Sequence, residues 1–253
     1  MLFDVFDNRT RVTGELVALD PIHIGSSAKQ SLNPVELDLS VLKDAAGNPV
    51  IPGSSIKGVV RSGFERVMRA ALPDTAEEKN RGACFVFGTE NCIAEIVKNK
   101  KGYTPEEIYR KSCPTCRLFG GLGIAGKLRF KDAAYISADG RPCMYEKRDG
   151  VAINRDTGSV AGNAKFDYEI VPRGSRFRFT LIAENLDAAQ QKQFQLVLAL
   201  LEGTLIPGDY LAFGGKTTRG LGRMRLENRQ DIFTDAAKMR AELASMGLTE
   251  GEG

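Results

Sequence analysis

TRVTGELVAL at residues 10–19 and SIKGVVRSGFERVMRAAL at 55–72 are the two segments whose reading decides the fold. The first alternates apolar and polar residues as a strand does when one face of its sheet is covered. In the second, Ile56, Val59, Val60, Phe64, Val67 and Met68 recur at helical spacing, which predicts an amphipathic helix. Working outward, KLRFKDAAYI at 127–136 and SRFRFTLIAE at 175–184 read as strands, the latter with Phe177, Phe179 and Leu181 on one face. DAAQQKQFQLVLALLE at 187–202 reads as a helix with Asp187 at its N-cap, and GRMRLE at 222–227 as a short last strand.

The order β, α, β, β, α, β predicts an α+β fold on the ferredoxin-like or RRM-like split βαβ plan. Residues beyond that plan fall in three places: the polar stretch between His23 and Pro52, a cysteine-bearing insertion at 73–126, and a Gly-rich, charged insertion at 138–174. Long irregular insertions in a compact domain are usually functional or disordered. With no internal repeat or low-complexity tract, residues 1–253 read as a single domain, and 42% hydrophobic residues suffice for its core. The net charge of +3 is only mildly basic, so a polyanion partner has to be argued from local clusters. No apolar run reaches membrane-spanning length and the N-terminus lacks a signal-peptide pattern, so the expectation is a cytoplasmic protein with reduced thiols and no membrane partner.

Two clusters suit an anion. In IPGSSIKGVVRSGFER, residues 51–66, a Pro-Gly turn and Ser54-Ser55 lead into a helix whose Lys57 and Arg61 are four apart. Backbone N–H groups at a helix start, hydroxyls and two cations can hold a phosphate; an ordinary N-cap with a solvated basic face is the plainer alternative. In FGGKTTRGLGRMR, residues 213–225, glycines allow close backbone approach and Lys216, Arg219, Arg223 and Arg225 supply charge. A flexible basic turn is the alternative there. Gly215-Lys216-Thr217 is no Walker motif, because Tyr210 stands where the first glycine belongs and a strand follows.

Cys84, Cys92, Cys113 and Cys116, the last two in a CPTC knuckle, can close a tetrahedral structural zinc site that staples a long insertion. A redox pair is the other reading of CxxC, although no thioredoxin-like βαβ context surrounds it. Cys143 reads as an ordinary thiol. Glu36, Asp38 and Asp44 precede the Pro-Gly turn, where an acid could hold a divalent metal or simply be solvated. His23, the only histidine, could be a general base or make a structural hydrogen bond.

Taken in order, IHIGSS at 22–27, DLSVLKDAAGNPVIPGSSIKGVVRS at 38–62, CPTCRLFG at 113–120, VAINRDTGSVAGNAKFDYEIVPRGSRF at 151–177 and GGKTTRGLGRMRL at 214–226 resemble the RAMP superfamily. Within it the likeness is to the backbone subunits of type III (Csm/Cmr-type) CRISPR effector complexes. The resemblance implies a single RAMP domain with a ferredoxin-like, RRM-like palm, a zinc-bearing insertion at 73–126 and a thumb-like hairpin at 138–174. It implies crRNA, complementary target RNA, other effector subunits and further copies or paralogues of the chain as partners. His23, Gly25, Ser54, Ser55, Lys57, Arg61, Arg155, Gly214, Gly215, Lys216, Thr217 and Arg219 are the RNA-binding residues it implies.

The family's active members carry an aspartate ahead of the PGSS turn, and here Asp38, followed by Lys43-Asp44, fits that frame; Leu39-Ser40 stands where the family often has Ser-Pro. Asp38 is therefore the implied catalytic residue, acting with Mg2+ or Mn2+ in attack of the 2′-OH on the adjacent phosphodiester. The alternatives are a catalytically inactive scaffold subunit, a RAMP endoribonuclease that processes crRNA, and a zinc-stapled RNA-binding module outside CRISPR.

Overall fold

A computed structural model describes residues 4–25, 39–75, 81–85, 91–94, 102–137 and 139–248. Chain order gives β1 (Asn8–Ala18), β2 (Val50–Ile51), α1 (Gly53–Ala71), α2 (Pro105–Lys111), α3 (Pro114–Phe119), β3 (Leu128–Phe130), β4 (Ala133–Ile136) and β5 (Glu146–Ile153). β6 (Val160–Ile170), β7 (Arg176–Glu184), α4 (Ala188–Glu202), β8 (Met224–Asp235) and α5 (Ala236–Ser245) follow. An antiparallel sheet runs β2-β4-β7-β1-β8, with β3 also on β7, and β5 and β6 form a separate two-stranded hairpin. The fold is thus mixed α and β around an antiparallel sheet.

The apolar faces expected from periodicity are the ones buried. Phe177, Phe179 and Leu181 on β7 and Ile56, Val60 and Phe64 on α1 are almost fully covered, joined by Phe194, Val197 and Leu198 of α4. Each such side chain contributes about 1.5–3 kcal/mol by leaving water. α1 and α4 pack against each other and reach the sheet through β3 and β8. Asp187 caps α4 by accepting from Gln190 N at 2.8 Å.

Three elements depart from the sequence expectation. The strand expected at 127–136 is broken at Lys131-Asp132, where the Asp132 carboxylate turns aside to accept from Gly53 N at 2.7 Å and so caps α1. The last strand continues to Asp235, because past a bulge between Thr13 and Glu15 its polar second half pairs with Asn8–Thr13 of β1. α5 then follows, with Asp235 accepting from Lys238 N at 2.8 Å. No helix among the described residues is long and apolar enough to cross a membrane.

Candidate nucleic-acid interface and cysteine cluster

The loop after α4 is folded onto the segment that follows β1. Gly215 N donates to His23 O at 2.8 Å, Gly222 N to Pro21 O at 2.9 Å, and Phe213 N to Gly222 O at 2.8 Å. Gly214 sits at φ +84, and a Cβ there would lie 2.3 Å from His23 O, so only glycine lets the two backbones approach this closely. Beyond it Lys216 is in the left-handed region, φ 61, and starts a single 3-10 turn, Thr217–Arg219. Its ammonium rests over the rings of Phe166 and Tyr168, at 4.9 and 4.4 Å from their centroids. Burial, then repulsion from Arg219, pushes the Lys216 pKa down. Thr217 and Arg219 are exposed.

This loop meets the outer face of α1. Gly58, Val59, Ser62 and Arg66 of α1 face Tyr210, Ala212 and Thr217 across an open cleft of about 480 Å³. On its other flank, Ser54, Lys57, Gly58, Arg61 and Ser62 line a second cleft of about 570 Å³ that ends at Phe85. Burial, then the charge of Arg61, lowers the Lys57 pKa. Gly53 begins α1 tight against β3, where a Cβ would lie 2.3 Å from Phe130 O. Ser54 is exposed and Ser55 half-buried at the same helix start.

Arg61 is turned away from solvent. It pairs with Glu65 at 2.8 Å, donates to Gly120 O at 2.8 Å, and reaches Cys116 Sγ at 3.5 Å. Burial opposes its charge, but the bond to Glu65 and the proximity of Cys116 outweigh that and hold its pKa above the usual arginine value.

The hairpin base joins the same neighbourhood. His23 is buried, its Nδ1 lies 2.7 Å from Glu169 O, and its ring meets Tyr168 edge-on at 5.8 Å. Glu169 is a hub that sequence reasoning missed. Its N–H donates to Leu39 O at 3.0 Å, Oε2 accepts from Val41 N at 3.0 Å, and Oε1 pairs with Lys43 Nζ at 2.7 Å. Gly25 bridges to Val41. Arg155 lies exposed in the far turn of the hairpin, where Asn154 O accepts from Gly158 N at 2.9 Å. Near that turn Val151, Ile153 and Val160 are 50%, 61% and 52% exposed. Asp38 and Glu36 lie outside the described residues.

Cys84, Cys92, Cys113 and Cys116 converge, each with its sulfur within 4.8 Å of the others. Tetrahedral thiolate coordination at about 2.3 Å requires sulfurs about 3.8 Å apart, and Cys84 and Cys116 are at 3.6 Å. The donor set therefore fits a metal such as zinc. Cys113 caps α3 by accepting from Cys116 N at 3.5 Å, and Pro114 at the first helical position suits that start. Hydrogen bonding from Cys113 above all pulls the Cys84 thiol down, and that from Cys116 brings Cys113 to about 7. Cys92 and Cys116 are pushed up by bonding with Cys113. Four thiols so close cannot all ionise without a cation between them.

Comparison with known proteins gives a match to the family described as the RAMP superfamily over residues 15–225. Among curated proteins, similarity extends to three called "CRISPR system Cms endoribonuclease Csm3". That of Methanothermobacter thermautotrophicus is 29% identical over 235 residues, 88% of this chain and 85% of the relative. That of Methanocaldococcus jannaschii is 26% identical over 216 residues, 82% and 74% of the two chains. That of Enterococcus italicus is 28% identical over 235 residues, 86% and 89%.

Proposed function

The chain belongs to the RAMP superfamily, and from that premise we propose that it is a crRNA-binding backbone subunit of a type III CRISPR interference complex that cleaves target RNA. The observation that carries this reading is convergence. Segments from 21–25, 53–62, 166–169 and 213–222, far apart in sequence, border one another at the α1 edge of the molecule. Their chemistry is backbone N–H groups, hydroxyls and cations, which suits phosphates and carries no base code. Guide pairing supplies sequence specificity in such a scheme while the protein reads backbone and shape.

In this reading the antiparallel sheet, with α1 and α4 packed on it, is a ferredoxin-like palm. Gly25, Ser54, Ser55, Lys57, Gly214, Gly215, Lys216, Thr217 and Arg219 grip the guide, and His23 positions the Gly-rich loop through its carbonyl. The β5–β6 hairpin is the thumb within residues 138–174; its exposed Val151, Ile153 and Val160, with Arg155 at the turn, suit a wedge between stacked bases. Zinc held by Cys84, Cys92, Cys113 and Cys116 would staple the 73–126 insertion, whose described residues add only Ile124 to the cysteines as an apolar cluster of their own. The complex would work in the cytoplasm, where further copies of the chain and other effector subunits line the guide.

Cleavage is assigned to Asp38, with Mg2+ or Mn2+ neutralising charge at the scissile phosphate when bound. Asp38 would orient the target's 2′-OH for attack on the adjacent phosphorus, the P–O5′ bond breaking so that a 2′,3′-cyclic phosphate and a protonated 5′-hydroxyl result, the 2′-OH proton passing to solvent. The residues after it, Leu39, Val41 and Lys43, are fastened to Glu169 beside the rest of the proposed interface. The test is to incubate the assembled complex, wild type or Asp38→Ala, with guide-complementary RNA and magnesium and to map the cuts. Regularly spaced cuts by wild type and binding without cuts by the variant are expected. Wild type that binds target without cutting it leaves the scaffold role alone, and wild type that never binds guide overturns the CRISPR reading.

A further inference from the structure

A ladder of charges on α1 reaches both halves of the cysteine cluster. Arg61, Glu65 and Arg69 are spaced four apart, the interval at which helical side chains meet. Glu65 pairs with Arg61 at 2.8 Å and with Arg69 at 3.4 Å. From there Arg61 donates to Gly120 O at 2.8 Å and approaches Cys116 Sγ at 3.5 Å, while Arg69 donates to Cys84 O at 2.9 Å. One arginine therefore holds the CPTC half, the other holds the Cys84 half, and the carboxylate between them fixes both. Arg61 and Glu65 side chains are only 17% and 15% exposed, which sets them apart from the weak ion pairs of an open surface.

We propose that Arg61 and Arg69 are positioning residues for the metal in the cysteine cluster, and that the phosphate contact on this face of α1 belongs to Lys57. The proposal rests on reading the cluster as a metal site. Four thiolates around a dication leave a net charge of about −2 in a largely buried place, and a guanidinium donating toward sulfur offsets it and orients the ligand. The arginine fork reaches Glu65, Gly120 and Cys116 at once, which a single ammonium cannot do. A guanidinium so engaged would have to give up those partners to take a phosphate. Lys57, one turn earlier, has no ion pair among the described residues and lines the same cleft.

The experiment uses the purified full chain loaded with zinc. Zinc content is measured first, then the rate of transfer to a chromogenic chelator for wild type, Arg61→Gln, Arg61→Lys, Arg69→Gln and Lys57→Gln. The same proteins are titrated with a fluorescent single-stranded RNA over a salt series. Arg61→Gln should release zinc about 10–100-fold faster with an unchanged salt slope. Arg61→Lys, which keeps charge but loses the fork, should lie in between. Lys57→Gln should release zinc at the wild-type rate and lower the slope of log K against log salt by about 0.7–1. Wild-type zinc release with a reduced slope in Arg61→Gln would make Arg61 a phosphate ligand and overturn the proposal. Should that variant not fold, Arg61→Lys and Arg69→Gln decide between the same two outcomes. A wild-type chain without stoichiometric metal overturns the metal reading itself, an outcome the first measurement separates from the rest.

Discussion

Two regions of the molecule are rich in cations, and they differ in what those cations touch. On the sheet, Arg176 pairs with Glu15 at 2.6 Å and with Glu227 at 3.2 Å, Arg9 and Arg129 share Glu184, and Arg229 pairs with Glu202 at 2.7 Å. At the edge made by α1 and residues 213–222, Lys57 and Arg219 have no carboxylate partner among the described residues. A paired arginine must lose its carboxylate to gain a phosphate, whereas an unpaired one gives up only water. In the proposed function, such unpaired cations are how a chain with a net charge of only +3 would engage a polyanion.

The contrast breaks most sharply under charge reversal. Lys57→Glu with Arg219→Glu should weaken RNA binding by about 100-fold or more at physiological salt, since two favourable phosphate contacts become repulsive. Arg9→Gln with Arg176→Gln should change RNA affinity less than about twofold and stability by about 1 kcal/mol or less at Arg176, the usual worth of exposed pairs, while the buried Glu184 keeps Arg129 when Arg9 is lost. Fluorescence anisotropy and urea unfolding measure the two quantities. Equal losses of affinity from both pairs of substitutions would abolish the distinction.

A second substitution sharpens it by moving backbone rather than charge. Gly214→Ala places a side chain at φ +84 with its Cβ 2.3 Å from His23 O, so the loop must shift. A cost of about 1–3 kcal/mol is expected, with weakened RNA binding because Lys216 and Thr217 move with it. Affinity equal to that of wild type would show that the loop tolerates the shift and that its exact course is irrelevant to binding.

Much of the scaffold was legible because it depends on short-range patterns. Val12 and Leu16, the α1 stripe from Ile56 to Met68, and the Phe177–Leu181 alternation write burial directly into the sequence, and the Asp187 cap follows from residue type. The second half of β8 was not legible: NRQDIFTD has no alternating apolar pattern, and it is a strand only because β1 offers a partner. Asp132 was hidden for a related reason, since a cap contributed 79 residues away from Gly53 leaves no local trace. At the site, the segments proposed to hold phosphate and the four cysteines could be read from type and spacing. Glu169 could not, because a single acid in an amphipathic strand reads as solvated until Leu39, Val41 and Lys43 are laid against it.

Glu169 also tests how the edge is held together. Glu169→Gln lets Val41 N still donate to the amide oxygen, but turns the amide NH2 toward Lys43 and leaves that ammonium without an acceptor. Breaking a fully buried ion pair by removing one charge costs about 3–5 kcal/mol, but the Lys43 side chain is 35% exposed, which brings the expectation to about 1–3 kcal/mol. RNA affinity should fall less than for Gly214→Ala, because His23 bonds to the Glu169 backbone, which the substitution keeps. Urea unfolding beside RNA titration separates the effects; unchanged stability would remove Glu169 as a clamp.

The smallest effect expected is one of pH, and its sign follows from Lys57. Burial, then Arg61, lowers its folded-state pKa below the ordinary lysine value of 10.5, so the unfolded chain holds this proton more tightly. Its contribution to stability therefore grows as pH rises through the window between the two values. RNA binding runs the other way: a phosphate favours the ammonium, protons are taken up on binding, and affinity falls as pH rises through the same window. A 2′-O-methyl RNA, which survives alkali, allows the titration, and circular dichroism checks the fold at each pH. Lys57→Arg stays charged throughout and should flatten the fall, leaving the part due to Lys216, whose pKa is lowered in the same direction. A fall of undiminished size in Lys57→Arg would take the phosphate contact away from Lys57 and leave the loop as the sole source of titrating charge at the interface.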